Sequence, residues 1–173
     1  MFWKNKTSSV FERDLESFLP RLRRYCLTLT GNRDRADDLA QMSCLRAIEK
    51  SDLFQPGTKL DQWMFKLTQR VWLNEIRANV VRQRGSMLAI DEIDIPDNKP
   101  NPEEHLFAQQ IVNQVMKLPE AQRVTVILAY VEGFSYQETS DILDIPIGTV
   151  MSRLAAARVK LTSQSVAPRK ALS

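Results

Sequence analysis

Lys66, Arg70, Asn74 and Arg77 follow one another at steps of four, four and three residues. On a helix those steps place all of them within about 80° of arc, as one polar stripe. Cations along a helix edge suit phosphates or splayed bases, and nearby aromatics such as Trp63 and Trp72 offer stacking surfaces. The same pattern describes a solvated helix edge above core tryptophans. On residue types alone, both readings stand.

The rest of that segment is apolar. Leu60, Trp63, Met64, Leu67 and Val71 fall on one face, and Phe65, Trp72 and Ile76 occupy another sector. The polar stripe is therefore the side expected to meet solvent.

A second group lies in the C-terminal third. Ser135 and Glu138 have the spacing of a capping box, which opens a helix over Tyr136–Leu143. A short turn, Asp144 to Ile147, separates it from a second helix running from Gly148 to about Leu161. Two helices joined by so tight a turn match a helix-turn-helix, whose second helix enters the DNA major groove. Its exposed N-terminal residues are Thr149, Met151, Ser152 and Arg153, with Arg158 and Lys160 placed near the backbone. Thr139, Ile142, Leu143, Val150, Leu154 and Leu161 fill the interior side. Such units also serve as protein-binding folds, and here Ser152, Arg153 and Arg158 speak for DNA.

Catalytic chemistry finds no constellation. His105 is alone, and Cys26 and Cys44 lie on apolar-periodic segments that favour buried structural thiols. The 5 glycines are scattered, so no phosphate-cradling loop forms. No metal site, no cofactor and no enzymatic activity are expected.

The elements that position these groups read as helices. Leu15, Phe18, Leu19, Leu22, Cys26 and Leu29 recur at helical spacing until Gly31-Asn32 stops them. Leu39, Met42, Leu45, Ala47 and Ile48 carry the apolar pattern of the next helix, which Asp34 is placed to cap. Val115, Leu118, Val124, Ile127, Leu128 and Val131 repeat the theme later, and strand-like alternation is missing. Between the halves, residues 85–103 contain Pro96, Pro100 and Pro102 and an acidic run, which a continuous helix cannot cross. The expected class is all-α: two small helical bundles (10–84 and 104–163) joined by a flexible acidic, Pro-rich linker, the second bundle containing the helix-turn-helix, with a tail over 164–173.

Charge follows the same division. The net +3 of the 173 residues splits into +6 over residues 1–84, −5 over 85–104 and +2 over 105–173. A basic module, a solvated acidic connector and a mildly basic module suit a chain that meets a polyanion. No apolar run is long enough for a membrane helix and no secretory signal opens the chain. The expected location is cytoplasmic, with no direct membrane insertion.

Three motifs carry a resemblance to a known family. DRADDLAQMSCLRAIEK (Asp34–Lys50), LDQWMFKLTQRVWLNEIR (Leu60–Arg77) and the stretch from Leu118 to Leu161 resemble, in order and distance, those of the extracytoplasmic-function group of bacterial sigma factors. The similarity runs from about Phe11 to Leu161. It implies that Asp38, Leu39, Gln41 and Arg46 dock on core RNA polymerase. Lys66, Arg70, Asn74 and Arg77 then face the −10 element of promoter DNA, with the loop Asp52–Asp61 near a captured base. Thr149, Met151, Ser152, Arg153 and Arg158 serve the −35 element, and an anti-sigma factor is the implied regulatory partner.

Some positions depart from the family pattern. Arg70 stands where Asn is common, Asn74 where Asp is common, Met151 where Lys or Arg is usual, and Ala156 where Arg is frequent. With fewer cations on its recognition helix, the C-terminal domain should bind −35 DNA weakly alone and with a shallow salt dependence. The alternative is a sigma-like decoy that binds an anti-sigma factor without engaging DNA. Such mimics carry an added receiver domain, for which 173 residues leave no room, and should lose the basic stripe that this chain keeps.

Overall fold

Phe11, Leu15, Phe18, Leu22, Tyr25, Cys26 and Leu29 form one buried stripe along the first helix, α1 (Trp3–Thr30). Leu19, counted with that stripe from the sequence, sits at its edge and reaches solvent. These observations come from a computed structural model, which describes residues 3–54, 59–82 and 110–165. The expected connector over 85–103, His105 and most of the tail over 164–173 lie outside the described residues. Every described element is helical, and none of these helices is long and apolar enough to cross a membrane.

Gly31 ends α1 with a φ of 66°, in the left-handed region that glycine enters at no steric cost, and its N–H bonds the Leu27 carbonyl at 2.9 Å. The next helix, α2 (Arg33–Glu49), is capped by Asn32, whose Oδ1 accepts from the Arg35 N–H at 3.0 Å. Asp34, expected as the cap, instead lies inside the first turn. There its carboxylate can still complement the positive end of the helix dipole.

The interior face of α2 is made of small residues: Ala36, Ala40, Ser43 and Ala47, with Leu39 as its one bulky member. Small side chains let α2 approach its neighbours closely. The other bulky apolar residues of its helical pattern, Met42, Leu45 and Ile48, face solvent at 47%, 58% and 50% exposure.

A 3-10 turn (Ser51–Leu53) leads towards α3 (Leu60–Arg82). The buried face of α3 is Met64, Phe65, Thr68, Gln69 and Trp72, while Leu60, Leu67 and Val71 are only half-buried. The buried stripe thus runs through two polar residues. Gln69 can sit there because its Oε1 accepts from the buried Tyr25 hydroxyl at 3.1 Å. Phe65 packs between Phe18 and Tyr25, at ring-centroid distances of 5.2 and 4.6 Å. Among the described residues, charged ties link the helices, including Arg23–Asp37 at 2.8 Å, Arg21–Asp61 at 3.1 Å and Arg35–Glu75 at 3.6 Å.

The described helices divide into two compact units, the first containing α1–α3. The second is built on α4 (110–116), α5 (Glu120–Val126), α6 (Tyr136–Leu143) as far as Ser140, and α7 (Ile147–Ser165). Its core is Val115, Leu118, Val126, Val150, Leu154 and Ala157, with Ile127, Ala129, Ile145 and Leu161 against it. Arg123 is half-buried and donates to the Met116 and Leu118 carbonyls at 2.9 and 3.4 Å, satisfying acceptors that the end of α4 leaves open. Burial lowers its guanidinium pKa from the usual value.

From Ile127 to Val131, α5 widens into a π turn, closed by the Glu132 N–H on the Ile127 carbonyl at 2.9 Å. Gly133, at φ 77°, breaks it. The capping box over Ser135 and Glu138 then opens α6, with both reciprocal hydrogen bonds in place. Asp144 adopts the left-handed conformation at φ 56° and ends α6. Pro146 precedes α7, its carbonyl accepting from Thr149 and Val150. Thus α7 begins at Ile147, one residue before the sequence reading placed it, and continues to Ser165.

Candidate partner and nucleic-acid interfaces

The outward face of α2 is a continuous helical surface. Asp38, Gln41, Met42, Leu45, Ile48 and Glu49 share it, and all are exposed. Large apolar side chains rarely gather on a helix face open to water unless a partner covers them. Asp38 and Gln41 supply a carboxylate and an amide within that strip, as a helix–helix contact can use. Arg46 stands at its edge, pairing with Glu49 at 2.8 Å. An exposed pair of this kind contributes at most about 1 kcal/mol, so it can open for a partner. Leu39 is 2% exposed and belongs to the interior. The sequence expectation put it on the docking surface; the structure turns its side chain to the inner face of α2, away from the exposed strip. Met42, Leu45 and Ile48 add an exposed apolar strip that the sequence reading did not place there, because apolar periodicity does not distinguish a face turned to the core from one turned outward.

The polar stripe of α3 lies where the spacing placed it. Arg70, Asn74 and Arg77 are exposed and Lys66 is half-exposed. Arg77 Nη1 donates to Asn74 Oδ1 at a long 3.5 Å, so both remain available to a stronger partner. The acids of α3 are Asp61 and Glu75, and each is engaged by an arginine from a neighbouring helix. Neither is positioned to neutralise the stripe. Glu75 projects half a turn away from Lys66, by the 100° step of the helix.

The two tryptophans differ. Trp72 is 4% exposed and carries the Arg35 guanidinium over its ring at 5.2 Å, so it belongs to the core and is no stacking platform. Trp63 is half-buried in an aromatic cluster with Phe11 and Phe54, at ring distances of 6.0 and 5.4 Å. Phe54 lies within the segment Asp52–Asp61 and Trp63 two residues beyond it; residues 55–58 lie outside the described set.

On α7, Met151 and Ser152 are exposed, while Thr149 and Arg153 are half-buried. Ser152 Oγ donates back to the Thr149 carbonyl at 3.0 Å, a local bond that a base or phosphate acceptor can replace. Val150, Leu154 and Ala157 fix the opposite face in the core. No acidic residue occurs between Ile147 and Ser165, so the exposed face is neutral to cationic throughout. Arg158 is exposed and donates to the Tyr130 hydroxyl at 3.3 Å.

The thiols are not placed for chemistry. Burial, with smaller contributions from Cys44 and Asp37, pushes the Cys26 pKa up to about 12. Burial raises Cys44 as well. Both therefore stay protonated, and poorly nucleophilic, near neutral pH.

Comparison with known proteins gives the same two-part division. A family model described as sigma-70 region 4 matches residues 108–161, and one described as the Sigma2 domain of PhyR matches residues 15–69. The chain is 34% identical over 152 residues to the ECF RNA polymerase sigma factor EcfG of Rhodopseudomonas palustris (strain TIE-1), covering 87% of this chain and 82% of that one. It is 25% identical to the ECF RNA polymerase sigma factor SigW of Bacillus subtilis (strain 168), covering 93% and 91% of the two chains. Among solved structures, the sigma factor RpoE of Bartonella quintana, in complex with the anti-sigma factor NepR, superposes with a TM-score of 0.74 at 27% identity. That match covers 91% of this chain and 98% of that one.

Proposed function

Because the chain belongs to the ECF family of RNA polymerase sigma factors, we propose that it binds core polymerase through the outer face of α2 and carries promoter specificity on α3 and α7. The observation that carries this reading is α2 itself, whose bulky apolar side chains Met42, Leu45 and Ile48 face outward while its inner face is alanine and serine. Asp38, Gln41 and Arg46 border the apolar strip and give it polar specificity. A surface so built has a protein partner.

The DNA-facing roles divide by chemistry. Lys66, Arg70 and Arg77 neutralise phosphates of the −10 region, and Asn74 offers an amide to a base edge. Thr149, Met151, Ser152 and Arg153 occupy the first turns of α7, the part of a recognition helix that reaches base edges in the major groove. Residues 10–84 serve as the polymerase-binding and −10 domain and 104–163 as the −35 domain. The acidic stretch 85–103 connects them and 164–173 form a tail. The chain acts with polymerase in the cytoplasm and performs no bond chemistry of its own. An anti-sigma factor of the kind seen bound to the Bartonella relative is the expected regulator. The decoy reading is disfavoured, since a chain that never meets DNA has no use for the exposed Arg70, Arg77 and Ser152.

The test is in vitro transcription with purified core polymerase over a promoter library. Initiation confined to a subset of templates, dependent on the added chain, supports the proposal. Tight core binding with no initiation from any template overturns it in favour of the decoy.

A further inference from the structure

We propose that Tyr130, Tyr136 and Arg158 form a seat for one backbone phosphate of the −35 DNA, a site additional to the base-reading turns of α7. Three elements bring them together: the π turn after α5, the first residue of α6 and the start of the fourth turn of α7. Arg158 Nη2 lies 3.3 Å from the Tyr130 hydroxyl, which lies 3.4 Å from the Tyr136 hydroxyl.

Hydrogen counting gives the cluster its chemistry. A guanidinium carries only donors, and a phenol carries one O–H. If Arg158 donates to Tyr130 and Tyr130 donates to Tyr136, the Tyr136 O–H and most guanidinium N–H groups remain unspent. The surface is rich in donors, carries a positive charge and stays open to solvent, with Tyr130 54% and Tyr136 38% exposed. Such a chain contributes little to stability in water, where each bond exchanges with solvent. A phosphate oxygen is the ligand that satisfies it.

Its place on α7 selects the ligand's source. Met151, Ala155 and Arg158 recur at steps of four and three, on one stripe. Arg158 thus lies seven residues, or about 10.5 Å, along the axis from Met151. The major groove is about 12 Å wide. With the first turns of α7 at base edges, Arg158 and the tyrosines reach the groove wall, where the phosphates are.

The inference rests on α7 entering promoter DNA. The experiment uses the complete chain bound to core polymerase and −35 duplexes carrying a single neutral methylphosphonate, moved one position at a time. Y130F and Y136F are each expected to weaken binding about three- to tenfold, the worth of one hydrogen bond. Their salt dependence should stay unchanged. R158A should in addition lower the salt slope by about 0.9, one phosphate. At one backbone position the methylphosphonate should weaken the wild-type complex but cost Y136F and R158A almost nothing further. Wild-type affinity for both phenylalanine variants overturns the proposal, as do additive losses at every backbone position. A lowered melting temperature with unchanged affinity also overturns it, assigning the cluster to folding. If the wild-type complex makes no −35 contact at all, the reading of α7 itself falls, a result that needs none of these variants.

Discussion

The buried hydroxyl of Tyr25 donates to Gln69 Oε1 at 3.1 Å, tying α1 to α3 beneath the polar stripe. Both residues lie in the interior, so the bond is what allows a glutamine to occupy a core position. Tyr25→Phe strands the Gln69 carbonyl and should cost about 1–3 kcal/mol of stability, read by urea unfolding. Gln69→Leu in the same background should recover part of that loss, since both polar partners are then gone. If Tyr25→Phe alone is neutral, the bond does not seat α3.

Asp38 and Leu39 are neighbours with opposite exposure. Asp38→Arg should abolish core-polymerase binding while leaving the melting temperature unchanged, because the side chain is exposed. Leu39→Ala should instead destabilise the fold by about 2–5 kcal/mol, as core truncations do. Polymerase affinity, measured on the folded fraction, should hold. A pull-down paired with thermal unfolding separates the two.

Leu45 tests the outward apolar face directly. Leu45→Ala should weaken core binding roughly tenfold, about 1.4 kcal/mol, with no loss of stability. Destabilisation without loss of binding would return Leu45 to the core pattern.

The recognition helix gives a paired prediction. Arg153→Ala should remove about 1–3 kcal/mol of base contact and lower −35-dependent transcription accordingly. Met151→Arg adds a cation at an exposed position, so it should steepen the salt dependence of promoter binding by about one unit of slope. A flat response to both means that α7 is not in the groove.

Cys26 predicts an alkaline dependence. Its thiol is neutral while protonated, and burial raises the folded pKa to about 12 from an ordinary 9.0. Between those values the unfolded chain has lost the proton that the folded one retains. Stability is therefore complete below pH 9 and falls as pH rises towards 12, by roughly 1.4 kcal/mol per pH unit from this group. Cys26→Ala should show a shallower decline than the parent in urea titrations at pH 8 to 10.5. Parallel curves would contradict it.

Much of this was readable from residue order. The capping box of α6, the tight turn at Asp144 and the stripe from Lys66 to Arg77 each follow from local rules of spacing and hydrogen bonding, which act within a few residues. The failures share another cause. The exposure of Met42, Leu45 and Ile48 was not legible, because periodicity reports that a helix has an apolar face, not what covers it. Gln69 gives no core signal in the sequence, because a polar residue becomes a core residue only when a distant partner, here Tyr25, meets it. Tyr130 and Tyr136 were invisible as a pair, since Arg158 joins them from 28 and 22 residues away along the chain.

The inverted build of α2 has a practical consequence. Anyone raising the solubility of this chain would first replace its exposed Met42, Leu45 and Ile48, the changes a surface-design routine favours. Those substitutions should succeed by every biophysical measure, giving higher yield, less self-association and an unaltered fold. The product would be a well-behaved protein that no longer finds its polymerase. On the docking role proposed for this helix, stickiness is its working property.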